Sequence, residues 1–477
     1  MPIHAYVKQH FCFKSIVSSH LKQCNSSLAS AAVPSPVRTI ERHASLDRLP
    51  FEICVEIFSH CPSAFPRIDS QVPPLTLALV CKTWYYLVMN TPRLWSCFEL
   101  VVEGKGSSQS EEDEMKKRLM LWLRRSRQQP LSFRIIHDAP GTTLDLRSAE
   151  LLKILLPHAS RWQHVYFHGP GRSLAPLQNQ RHEGSLRTLR SLSLRLGKPW
   201  AHDFDMSRFD IPWSQLSALN LQFYQDHVHS LDECFRILSA AKNLTTCTLN
   251  AEYRFSPPDT GKLELPFLRS LKLIIQGTDP IGMAETSFLS FLERLSLTNL
   301  RAISVEWLIN STQGGTGSQW RMVHTRLTNF IQSSASSLEH LGLAYLPLRD
   351  YEIIKCLEGL SRLRHFDLKF ALTSQQPDPI TDTLLQHLTP AHSLSTSQRG
   401  ERKTVPNLPE LRELNLQCSG EYLNQVLLLA LVEGRAAQGL KEFGVFTLKS
   451  LPKEFRDRIG AWQDRGLHFS ACTLNVR

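Results

Sequence analysis

The sequence has no run of about eighteen apolar residues, the length a bilayer-spanning helix needs. Its dense stretch QVLLLALVEG at Gln425–Gly434 is too short, so no membrane span is expected. It has 11 cysteines, an odd number, and no C-x-x-C pair. A zinc site or disulfide framework would show paired spacings. Cys54, Cys81 and Cys247 sit inside apolar runs and read as small hydrophobes in a reducing compartment, cytoplasmic or nuclear. There are 19 histidines but no H-E-x-x-H. His164 and His168 in QHVYFHGPGR lie along a strand-like stretch where His164 reads as a face residue, not a ligand. No G-x-S-x-G elbow is present. The DTGK at Asp259–Lys262 lacks the glycine a phosphate loop requires, because Ser256 stands there. No catalytic, metal or cofactor residue is thus singled out, and the chain is expected not to be an enzyme. The net charge is +10, yet Lys and Arg are spread between leucines without a run of five, so nucleic-acid binding is not expected.

What is present is a core-forming composition, 42% hydrophobic and 21% charged over 477 residues, enough for two or three domains. The first acidic residue is Glu41. Residues 1–43 are Ser-rich, basic and closed by VPSPV, and read as a disordered leader. Their few arginines argue against a transit peptide.

The strongest signal is an internal repeat. WQHVYF begins at Trp162, LRSLSL at Leu189, LSALNL at Leu216, LTTCTL at Leu244 and LRSLKL at Leu268. LERLSL follows at Leu292, LEHLGL at Leu338, LRHFDL at Leu363, LRELNL at Leu411 and LKEFGV at Leu440. The starts are 27, 27, 28, 24, 24, 46, 25, 48 and 29 residues apart, the two long gaps being near twice the rest. L-x-L puts two leucines on one face of a short strand. Helix-period stretches such as LDECFRILSAAKN, ITDTLLQHL, YEIIKCLEGLS and LNQVLLLALVEGRAAQ lie between copies. A single strand–helix unit cannot bury its apolar side, whereas stacked units make a curved solenoid. Over residues 160–477 the pattern resembles the leucine-rich repeat, without its buried Asn/Cys position, which here is Glu252, Leu300 or Ser419. An irregular arc of the α/β class is therefore expected over residues 161–477, with its first strands and helices at 98–160. Asn310–Trp320 and Thr389–Pro409 are read as surface loops.

Residues 44–97 have a different texture. In SLDRLPFEICVEIF, Pro50 suits the first turn of a helix, and Ile53, Ile57 and Cys61 recur every four residues with Cys54 and Phe58 alongside. From Leu75 to Met89 only Thr76, Lys82 and Thr83 are polar, which reads as a helix apolar nearly all round. So small a unit has more apolar surface than it can hide itself. The order L-P-x-E-I-x-x-E-I-F, then L-x-L-V-C-K-x-W-x-x-L, then T-P-x-L-W resembles an F-box, a three-helix all-α module. It is similar to those of mushroom-forming fungi, which often continue into a segment like WLRRSRQQPLSFRII at Trp122–Ile136. Phe51 departs from the small or polar residue common there. The resemblance implies a substrate receptor of a Skp–cullin–F-box ubiquitin ligase. The F-box would dock a Skp-type adaptor, and through it a cullin-RING ligase, while the repeats hold an unknown protein substrate. The implied adaptor contacts are Leu49, Pro50, Ile53, Ile57, Leu79, Val80, Cys81 and Trp84, with Trp95 packing inside the chain. The alternative is a leucine-rich scaffold unrelated to ubiquitin.

In a leucine-rich arc the variable residues between leucines line the concave face. One such strip reads Ser193, Asn220, Thr248, Lys272, Ser296, Gly342, Asp367, Asn415 and Gly444. Its neighbour reads Arg195, Gln222, Asn250, Ile274, Thr298, Ala344, Lys369, Gln417 and Phe446. Arg195, Gln222, Asn250, Lys272, Lys369 and Gln417 are the candidate substrate contacts.

Overall fold

The computed structural model describes residues 49–61, 63–69, 71–103, 109–138, 147–178, 186–197, 210–223, 229–256, 261–279, 282–311, 320–370, 378–390, 407–421 and 423–473. The expected leader, and the expected loops over 312–319 and 391–406, lie outside these residues.

The helices are α1 (Phe51–His60), α2 (Leu75–Ala78), α3 (Lys82–Met89), α4 (Gln109–Ser126), α5 (Arg147–Leu155), α6 (Ala175–Gln178) and α7 (Leu231–Ala240). They continue with α8 (Ala284–Glu293), α9 (Trp320–Gln332), α10 (Asp350–Leu357), α11 (Asp382–Leu388), α12 (Gln425–Ala437) and α13 (Lys453–Gln463). The strands are β1 (Cys97–Glu103), β2 (Leu131–Asp138), β3 (Trp162–Pro170), β4 (Ser191–Gly197), β5 (Ala218–Phe223), β6 (His229–Ser230), β7 (Thr246–Glu252) and β8 (Leu263–Glu264). The remainder are β9 (Ser270–Asp279), β10 (Leu295–Ser296), β11 (Ala302–Ser311), β12 (His340–Ala344), β13 (His365–Lys369), β14 (Glu413–Gln417), β15 (Glu442–Thr447) and β16 (His468–Thr473).

One long parallel sheet runs in chain order β1-β2-β3-β4-β5-β7-β9-β11-β12-β13-β14-β15-β16, with β6 pairing β7. Parallel neighbours need a crossover, and the intervening helices supply it in most units. The L-x-L residues stack in register. One row passes from Val165 through Leu192, Leu219, Cys247, Leu271, Ile303, Leu341, Phe366, Leu414 and Phe443 to Phe469. All but the last are buried, within a hydrophobic core that extends from Cys54 in α1 to Leu467 before β16. Each leucine-sized side chain so enclosed stabilises by about 1.5–3 kcal/mol relative to exposure. The architecture is α/β and solenoid-like.

Three sequence expectations are corrected. The copy at Leu292 does not supply a strand of the main sheet. Leu292 ends up in α8, and Leu295–Ser296 form β10, which pairs only with β8. The main-sheet strand of this unit is β11, entered from LRAISV at Leu300, and it pairs β9 over Ala302–Ser311. Counted from Leu300, the spacings on either side become 32 and 38 residues in place of 24 and 46. Second, the apolar run from Leu75 to Met89 is not one helix. It breaks at Leu79–Cys81, where Cys81 turns extended and its sulfur accepts from Trp84 N at 3.5 Å, capping α3. Third, Asn310 and Ser311 belong to β11, and Trp320 opens α9 fully buried, edge-on to Trp307 at 5.3 Å.

The missing asparagine position is partly replaced by two buried amides. Asn250 Nδ2 donates to Phe223 O at 2.8 Å, and Gln417 Nε2 to Phe370 O at 3.3 Å, each tying one turn to a neighbouring unit. Such bonds satisfy carbonyls that the turns would otherwise bury unpaired.

Candidate functional site

Pro50 stands one position before α1, as its N-cap, and its carbonyl accepts from Ile53 N and Cys54 N at 3.1 and 3.2 Å. The four-residue periodicity of α1 then divides into two faces. Cys54 and Phe58 turn into the core, Phe58 lying 4.6 Å from the Trp84 ring, while Ile53 and Ile57 stay exposed. In α3, Leu87 and Val88 are buried and Trp84 is half-buried. The break ahead of α3 throws Leu79 and Val80 outward, 80% and 61% exposed. Leu49, Pro50 and Cys81 are exposed as well, as are Phe51, Tyr85 and Tyr86. Seven of the eight residues assigned to adaptor contact therefore face solvent, and Trp84 is the packed exception. An apolar surface of this kind on a folded chain marks an interaction site.

The other side of this helical unit is committed to the sheet. Trp95 is fully buried, donates from Nε1 to Val88 O at 3.0 Å, and meets Trp122 of α4 edge-on at 4.7 Å. The Arg125 guanidinium lies 4.4 Å above the Trp95 ring, and burial lowers its pKa from the usual range. The segment before α2 runs beside β1. Pro66 O accepts from Glu99 N at 2.8 Å, and Ile68 N donates to Glu99 O at 3.3 Å. The unit thus covers the first edge of the sheet with one side and presents the other to solvent.

On the open face of the sheet, register places Lys272 between Thr248 and Ser304, and Ile274 between Asn250 and Glu306. Of the candidate substrate contacts, Arg195, Gln222, Lys272 and Lys369 are half-buried, whereas Asn250 and Gln417 are buried and already bonded to backbone. Those two amides are therefore structural in this arrangement. Ser296 and Thr298 are not on this face, because their copy left the main sheet. Burial first, then the fields of Lys369 and Arg195, lower the Lys272 pKa, so these cations from three separate strands share one electrostatic neighbourhood.

Two acidic groups sit among them, and one was missed by sequence reasoning. Lys272 Nζ lies 3.6 Å from Glu306 Oε2, and burial raises the Glu306 carboxyl above its ordinary range against the pull of Lys369. Glu306 escaped notice because β11 reads I-S-V in place of leucines; its signal was the Leu300 copy. Asp367 accepts from Asn415 Nδ2 at 2.7 Å and faces His340 Nε2 at 3.2 Å. Burial would raise its pKa, but the bonds from His340 and Asn415 prevail and hold it below the usual value. Tyr345 stands beside them with φ 63°, its pKa pushed up to about 12 by burial and by Glu306.

A serine–histidine contact exists elsewhere. His137 Nδ1 is 2.7 Å from Ser148 Oγ, which is 2.7 Å from Ser173 Oγ. All three residues are buried, which suits a satisfied polar network better than a nucleophile. His164 is exposed on β3, with its pKa lowered by partial desolvation beside the strand. Among the described residues no group of His, Cys, Asp and Glu could hold a metal ion, and no helix is long and apolar enough to cross a membrane.

Compared with known protein families, residues 46–100 match the F-box-like family. The match spans α1 to α3, the Trp95 anchor and the start of β1, and it contains all eight assigned adaptor contacts. No curated protein matches the chain. An F-box-like domain suggests a role in ubiquitin-ligase adaptor binding, since F-box domains generally bind Skp-type adaptors.

Proposed function

We propose that this protein is a non-catalytic substrate receptor of a Skp–cullin–F-box ubiquitin ligase. The observation that carries the reading is the division of the F-box-like unit. Cys54, Phe58, Leu87, Val88 and Trp95 are spent on the core, while Leu49, Ile53, Ile57, Leu79 and Val80 remain exposed. Capping the sheet accounts for the first set and leaves the second without a use. A Skp-type adaptor covering that second set would bring a cullin-RING ligase to one end of the sheet. The open face around Arg195, Lys272 and Lys369 would hold a protein substrate, and transfer would be promoted by raised effective concentration.

The test is capture of a purified Skp-type adaptor by the full chain. Replacing Leu49 and Pro50 with aspartate should abolish capture while leaving the far-ultraviolet spectrum of the repeats unchanged. Undiminished capture by that double variant would refute the assigned contact set.

A further inference from the structure

The irregular unit of the sheet builds a feature that the adaptor and substrate readings do not use. Because Leu295–Ser296 pair with Leu263–Glu264 outside the main sheet, the turns entering β9 and β11 are held side by side. Asn299 Nδ2 donates to Pro266 O at 2.7 Å and locks them together. Between them lies a cleft of about 190 Å³ lined by Thr245, Pro266, Phe267, Arg269, Asn299 and Arg301. Phe267 is 57% exposed at its rim.

The two arginines are consecutive rungs of one backbone ladder. Arg269 N donates to Thr245 O and Arg301 N to Arg269 O, each at 2.8 Å, so like charges stand side by side just ahead of β9 and β11, an arrangement that repels. Farther along this edge the charges are balanced. Arg301 meets Glu339 at 3.4 Å, and Arg364 meets Glu339 at 3.7 Å and Glu410 at 3.1 Å. Arg301 and Arg364 thus share the two carboxylates, and Arg269 is left over in the cleft. It forms no ion pair or side-chain hydrogen bond among the described residues.

We infer that this cleft is a binding site for a phosphate monoester carried on an aromatic or apolar body. Two adjacent planar forks can bridge the oxygens of one dianion, and a dianion offsets the charge that a single carboxylate would leave. Phe267 offers the attached ring or chain a surface to lie on. The volume is below that of a drug-sized pocket, about 300–1,000 Å³, and suits a single side chain or a small headgroup.

The inference is independent of adaptor docking and is tested on the full chain by titration calorimetry. Phenyl phosphate should bind saturably, more tightly than inorganic phosphate, benzoate or phenol, and more weakly as salt rises. Arg269→Gln and Arg301→Gln, both at exposed side chains, should each weaken phenyl phosphate by at least about tenfold at an unchanged urea midpoint. Phe267→Ala should narrow the gap between phenyl phosphate and inorganic phosphate. A Leu79→Asp variant should bind phenyl phosphate as the wild type does, whatever becomes of adaptor capture. No saturable binding, equal affinity in both arginine variants and wild type, or benzoate binding as tightly as phenyl phosphate would each overturn the assignment.

Discussion

Leu79 and Leu87 make a matched pair that separates docking from folding. They are eight positions apart in the same F-box-like unit, but Leu79 is 80% exposed and Leu87 is 7% exposed. Full burial of a leucine is worth about 1.5–3 kcal/mol, so covering the exposed four-fifths of Leu79 with an adaptor yields roughly 1.2–2.4 kcal/mol. Leu79→Ala keeps only the small share owed to its methyl group. It should therefore weaken adaptor binding by about 1–2 kcal/mol, roughly 5- to 30-fold in Kd. Because the side chain touches little in the free protein, the unfolding midpoint in urea should hardly move. Leu87→Ala should do the reverse. It opens a cavity in the hydrophobic core, and large-to-small core changes of this kind cost about 2–5 kcal/mol of stability. Kd from calorimetry with a purified Skp-type adaptor, paired with urea unfolding of the free chain, reads both quantities. If Leu79→Ala left Kd within twofold of the wild type, or destabilised the chain as much as Leu87→Ala, the exposed face would not be the docking face.

Two further outcomes follow from buried charge. Burial holds the Glu306 carboxyl above its ordinary value of 4.5, so between that value and the raised one the folded chain binds more protons than the unfolded chain. Stability should then fall as pH rises through that window, and Glu306→Gln should lack this fall; urea midpoints of the two proteins across a pH series from 4.5 upward check the sign, and parallel curves would refute it. Arg435 is buried with its pKa lowered to about 10, and donates to Leu388 O, Leu408 O and Asn407 O at 2.7, 2.9 and 2.8 Å. Arg435→Met leaves the Leu388 and Asn407 carbonyls without their donor and Leu408 O with only Leu411 N, and should destabilise by about 2–5 kcal/mol in urea unfolding, a loss under 1 kcal/mol being the contrary result.

The parallel sheet was legible because its leucines recur with the unit length, and the row from Val165 to Phe443 is that recurrence made physical. The F-box-like helices were legible in their anchors. The failures share a cause: the local pattern was honoured and the competing tertiary arrangement was invisible. LERLSL has the right letters at Leu292, but LRAISV at Leu300, with isoleucine and valine, won the place beside β9. Periodicity counts both as apolar and cannot rank them. The run Leu75–Met89 carried no breaker, so only the capping bond from Cys81 revealed the turn that exposes Leu79 and Val80. On the open face, Asn250 and Gln417 looked like neighbours of Arg195 and Lys272, but sequence does not tell an amide that greets solvent from one that ties a turn. The arginine cleft was illegible for the same reason as the misplaced strand, since it exists only because of that displacement.

The join between the helical unit and β1 has a mechanical consequence. Trp95 against Trp122, and Pro66 bonded to Glu99, fasten the helical unit directly to the first strand and helix of the sheet. Thirteen strands in line, spaced by about 4.8 Å, give the sheet roughly 55–60 Å of contour. A partner gripped at the helical end and another gripped near β14 would be kept at a set separation, as by a stiff bracket. Reach would then be chosen by which strand a cargo contacts, one rung nearer or farther, and not by bending of the protein itself.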